Sequence, residues 1–166
     1  MDIGKIEVIM SNDVCGYIIP SLNREKEMLL LKYISRISIG ICKIKYNELY
    51  NFPEEYIPSG DCFAFLIGDR PGYPNATYLI DYNEYDPESS DIGFPPGAKE
   101  RLKILLDTLA DIIRITNSKR MVVAMTECNQ IETVKKVNFS DFYDEVYKDF
   151  EKYQAPPDTL YDITVK

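Results

Sequence analysis

The run Leu102-Lys103-Ile104-Leu105-Leu106-Asp107-Thr108-Leu109-Ala110-Asp111-Ile112-Ile113-Arg114-Ile115-Thr116-Asn117-Ser118-Lys119-Arg120-Met121-Val122-Val123-Ala124-Met125 decides the fold class. Leu102, Leu105, Leu106, Leu109, Ile112, Ile113 and Thr116 recur at i, i+3, i+4 and i+7, so one stripe of a helix is apolar. Lys99, Glu100, Lys103, Asp107, Asp111 and Arg114 fall outside that stripe. Asn117-Ser118 stops the helix, and residues 121–125 read as a short buried strand. A helix with one apolar face followed by a buried strand calls for a layer of helices against a sheet.

Working outward, residues 5–10 alternate and are rich in β-branched side chains, which predicts a strand. Residues 15–19 form another extended piece ending at Pro20. Ser21 is placed as the N-cap of a helix over 22–37, with Leu22, Leu29, Leu30, Tyr33, Ile34 and Ile37 on its inner face. Residues 39–46 read as a strand, 47–58 as a loop or short helix, and the apolar run 61–67 as a strand covered on both faces. Pro71-Gly72 suits a type II turn, and 76–81 reads as a strand returning from it to complete a hairpin-like pair. Toward the C-terminus come a strand near 134–139 and a helix over 141–153 capped by Ser140. That helix carries the apolar stripe Phe142, Tyr143, Val146, Tyr147 and Phe150, read as core packing. Residues 160–165 are a short tail of strand character. The expectation is one α+β domain over 1–166, a mixed or antiparallel central sheet packed by about three helices.

Nineteen basic against 27 acidic residues give a net charge of −8, which repels phosphate backbones and anionic membranes and attracts basic proteins. Nucleic-acid and lipid binding are therefore disfavoured. No run approaches the length of an apolar membrane span, and Met1-Asp2-Ile3-Gly4-Lys5 lacks a signal-peptide pattern, so the expected location is cytoplasmic. Cys15, Cys42, Cys62 and Cys128 are scattered without a C-x-x-C pair and read as buried, reduced thiols.

The chain contains no histidine, the commonest general base and the usual zinc ligand. Phosphate-cradling glycine motifs and the EF-hand ladder are likewise missing from the sequence. The expectation is a binding protein without cofactor or metal rather than an enzyme. Cys128, after the 121–125 strand, lacks a clear activating neighbour; only Lys135 and Lys136 come into consideration. Carboxylates are plentiful. Asp81-Tyr82-Asn83-Glu84-Tyr85-Asp86-Pro87-Glu88-Ser89-Ser90-Asp91 holds five acids and no base. Three readings stand for it: a solvated loop, an oxygen-ligated divalent-metal site, or a docking surface. In the last, Asp81, Glu84, Asp86, Glu88 and Asp91 supply charge, while Tyr82 and Tyr85 supply rigid contacts. Residues 141–162 repeat the theme, with seven acids against two lysines.

Size, acidity and an Asn/Ile/Lys/Tyr-rich composition together resemble the immunity proteins of bacterial contact-dependent inhibition and other polymorphic toxin systems. The segments Met121-Val122-Val123-Ala124-Met125-Thr126-Glu127-Cys128-Asn129-Gln130-Ile131-Glu132 and Ala155-Pro156-Pro157-Asp158-Thr159-Leu160-Tyr161 share that character. The resemblance implies a cytoplasmic protein that binds and neutralises a cognate toxin domain, often a basic nuclease. It carries no functional residue across. A carboxylate-based divalent-metal enzyme and a non-catalytic adaptor subunit stand as the alternatives.

Overall fold

The computed structural model describes residues 13–68, 77–82 and 93–166. The expected strand at 5–10 and the Pro71-Gly72 turn lie outside them. Among the described residues, β1 (Val14–Ile19) leads to α1 (Arg24–Ile34) and β2 (Ile41–Ile44). Two single 3₁₀ turns, Tyr46–Glu48 and Glu54–Tyr56, precede β3 (Phe63–Ile67). Then come the one-turn helix α2 (Thr77–Ile80), the long α3 (Ala98–Thr116) and β4 (Arg120–Met125). The chain closes with β5 (Thr133–Asn138), a 3₁₀ turn, α4 (Phe142–Tyr153) and β6 (Thr159–Thr164).

The six strands form one mixed sheet in the order β2-β3-β1-β4-β6-β5. Only β5 and β6 run parallel; the other neighbours are antiparallel. The α+β expectation, with three main helices on a mixed sheet, holds. At the centre, β1 and β4 approach closely because Gly16 lacks a side chain: a Cβ there would stand 2.3 Å from the carbonyl oxygen of Val122. No helix among the described residues is long and apolar enough to cross a membrane.

The helix α3 is the keystone of one sheet face. Leu102, Leu105, Leu106, Leu109 and Ile112 are buried against Ile18, Phe65, Val123 and Ile163. Its end is set by Asn117 in the left-handed conformation (φ 51°), with amide bonds back to the last turn. Two acids beside the apolar stripe tie in the neighbouring helices. Tyr33 of α1 donates to Asp111 at 2.9 Å, and Tyr143 of α4 donates to Asp107 at 2.5 Å. Arg101, wholly buried, donates from its guanidinium to the carbonyls of Pro96 and Asp81, fastening both flanks of the 83–92 stretch to α3.

Several expectations are corrected. Residues 77–80 are helical, not a strand; Leu79 and Ile80 are buried on α3, and that packing overrides the β preference of Thr and Ile. β3 therefore pairs with β2 and β1 rather than with a hairpin partner. Asn23, not Ser21, caps α1 by accepting from the Lys26 amide, while the Ser21 hydroxyl donates to Asp61. Ser140 lies in a 3₁₀ turn and does not cap α4 with its side chain. The C-terminal segment has the strand character expected of it, but it is an inner strand, β6, between β4 and β5 rather than a tail at the edge. Of the cysteines, all four are free thiols, but Cys42 and Cys128 are exposed.

Candidate protein-binding face

The second sheet face is built differently. It carries Cys15, Tyr17 and Ile19 from β1, Ile44 from β2, Ala64 from β3, Val122 and Ala124 from β4 and Leu160 from β6. No α-helix contributes to this cluster among the described residues. A strap, residues 45–58, lies across the face and anchors itself through Leu49, Phe52 and Tyr56, each under a tenth exposed. Successive short turns stiffen it: the amides of Glu48, Leu49, Phe52, Tyr56 and Ile57 each bond the carbonyl three residues back. Glu48 accepts from the Lys45 amide at 2.6 Å, closing the first turn. From beneath, the Tyr17 hydroxyl donates to the Tyr56 carbonyl at 2.7 Å. Burial, with lesser contributions from nearby charges, pushes the Tyr17 phenol up to about 12.

Beside the strap's end, Arg120 and Asp162 form a two-pronged ion pair at 2.7 and 3.0 Å, with the guanidinium 5.8 Å from the Tyr56 ring. Asp162 is 6% exposed. This pair lets two charged residues occupy inner strands without leaving a buried charge uncompensated.

The outer side of the strap has another composition. Tyr50 is 72% exposed and Tyr46 44%, with Glu48 exposed between them and Glu54 and Glu55 exposed further along the strap. Tyrosines and acids on a backbone held by its own hydrogen bonds are the residue types that form rigid protein contacts with a basic partner. Between strap and sheet runs a groove of about 450 Å³. Cys15, Ile44 and Leu66 form its apolar floor, Tyr50 one wall, and Asp13, Asn47, Glu48, Asn51 and Asn129 its polar rim. Asn51 donates to the Asn129 carbonyl at 3.1 Å, joining the strap to the loop after β4. Burial first, and the charge of Asp13 second, push the Cys15 thiol up to about 12, so it stays neutral and apolar at ordinary pH.

The docking residues expected at 81–91 are distributed otherwise. Tyr82 is 7% exposed, its ring 5.6 Å from Phe150 and its hydroxyl donating to Glu151, so it is committed to the interior and is not an exposed contact. Asp81 is half-buried, with its carbonyl held by Arg101. Glu84, Tyr85, Asp86, Glu88 and Asp91 lie outside the described residues.

The acidic run 141–162 is largely consumed by the fold. Asp149 accepts from Lys135 at 2.9 Å and from Tyr161 at 2.8 Å, and Glu145 accepts from Lys135 at 3.0 Å. Asp162 pairs with Arg120, Glu151 accepts from Tyr82, and Asp158 accepts from the Glu127 amide at 2.8 Å. Lys135 is thus held by α4, which removes it as an activator of the exposed Cys128. Among the described residues no group of three or more His, Cys, Asp or Glu side chains is placed to hold a metal ion.

The sequence predicts only a loop or short helix over 47–58, because outward Tyr and Glu alternate irregularly with the inward Leu49, Phe52 and Tyr56. The spacing of those three anchors between exposed acids is the signal of a strap. No family model matches the chain, and no curated protein or solved structure matches it significantly.

Proposed function

We propose that this chain is a toxin-neutralising immunity protein that captures a basic protein domain on the strap face. The observation that carries the reading is the strap itself: Tyr46 and Tyr50 project beside Glu48, Glu54 and Glu55 from a backbone anchored by Leu49, Phe52 and Tyr56. Tyrosine offers large contact area at low entropic cost. The acids add to a net charge of −8, which draws a positively charged partner and speeds its capture. A nuclease toxin must be basic to hold its substrate, so an acidic inhibitor complements it.

The test is affinity capture with the whole chain as bait, from cells that also express the product of the adjacent gene. Recovery of a small basic domain, bound tightly at low salt and more weakly at high salt, together with rescue of growth, supports the reading. Failure to bind or rescue, with both proteins folded and present, refutes it.

A further inference from the structure

We propose that the groove between the strap and the sheet receives an arginine side chain of the basic partner, a specification that rests on the binding role of this face. Its chemistry follows the length of that side chain. The floor of Cys15, Ile44 and Leu66 is apolar and suits the three methylenes of an arginine stem. The ring of Tyr50, 72% exposed and forming one wall, offers a flat face on which a guanidinium stacks.

The rim supplies charge and acceptors. Glu48 brings a carboxylate and Asp13 lines the same rim, and among the described residues lining the groove there is neither Lys nor Arg. Asn47, Asn51 and Asn129 bring side-chain amides to the same rim. Asn51 spends an amide N–H on the Asn129 carbonyl at 3.1 Å, which fixes the orientation of its side chain and keeps its oxygen as an acceptor. A planar fork of five donors uses several such acceptors at once, whereas the compact ammonium of lysine has three donors and no face to stack. The neutral Cys15 thiol keeps the inner end apolar, so a cation is held at the mouth with its stem inside.

The test uses the full ¹⁵N-labelled chain and two small probes, N-acetyl-arginine amide and N-acetyl-citrulline amide. Citrulline keeps the length and planarity but carries no charge. The arginine probe is expected to shift the side-chain amides of Asn47, Asn51 and Asn129 saturably, with Kd in the millimolar range, about 1–10 mM. The citrulline probe binds about tenfold more weakly, the loss of a charge-assisted contact. Glu48→Gln, which keeps an acceptor for the Lys45 amide, weakens the arginine probe several-fold and leaves the remaining spectrum in place. Tyr50→Ala, at an exposed position, does likewise.

Equal affinity for both probes overturns the proposal. So do shifts that spread over the acidic surface without saturating at the rim, or no shift at all at tens of millimolar, about ten times the expected Kd. Because the probes replace the partner, such a result leaves capture of a basic domain to be judged separately. Conversely, failed capture with intact probe binding removes the immunity reading and not the groove.

Discussion

The two faces of the sheet are held by different means. Under the helices, buried side chains from α1, α3, α4 and five of the six strands form one continuous apolar cluster. Under the strap the cluster is small, and much of its fastening is polar: Tyr17 to the Tyr56 carbonyl, Arg120 to Asp162, Asn51 to the Asn129 carbonyl. The helix face therefore determines whether the chain folds. The strap face determines what the folded chain presents.

The largest effect expected is on the helix side. Phe142 is fully buried and meets Tyr161 edge-on at 6.4 Å. Phe142→Ala removes the ring from a layer that cannot collapse around the gap, and should cost about 3–5 kcal/mol in urea unfolding. Leu49 is equally buried, but it is the smaller side chain and packs in the smaller cluster. Leu49→Ala should cost less, about 2 kcal/mol, because it removes less buried volume. Equal losses for the two would erase the distinction between the faces.

This contrast also explains what was legible in the sequence. The helix α3 and strand β4 could be read because their apolar spacing repeats the geometry of the elements, and nothing local competes with it. The inner position of β6 could not, since Asp162 in its middle looks like a surface residue until Arg120, two residues along β4 from its cross-strand partner Val122, is brought to it. For α2, four residues of β-forming character are helical through packing on α3, a contact that no local pattern carries. At the candidate site, the acids and tyrosines of 81–91 can be read from the sequence, but the interior position of Tyr82 cannot. Nor can the second set of acids and tyrosines on the strap be grouped, since its anchors become visible only against the sheet.

A third, smaller effect sharpens the comparison by pH. The phenol of Tyr17 is raised from its ordinary value to about 12 by burial. Its contribution to stability is complete below the unfolded-state value near pH 10 and is lost as pH rises toward 12. At pH 11 the wild type should lose about 1 kcal/mol through this group. Tyr33, Tyr82, Tyr143 and Tyr161, pushed up further still, add their own losses over the same range. Tyr17→Phe should therefore make the fall of the urea midpoint between about pH 10 and 12 shallower by about that amount without abolishing it; an unchanged profile would remove Tyr17 as a contributor. The smallest effect belongs to the exposed surface: Tyr50→Ala should change stability by less than about 0.5 kcal/mol while weakening partner binding. A large loss of stability there would mean that Tyr50 holds the strap rather than serving it.

The most direct test of the strap as the binding face is the association rate constant of the captured basic domain at low ionic strength. Wild type should be compared with the triple variant Glu48→Lys, Glu54→Lys, Glu55→Lys after equal thermal stability has been verified. A fall of about tenfold or more, shrinking as salt is added, is the predicted result. An unchanged rate constant would contradict it and move the interface elsewhere on the molecule.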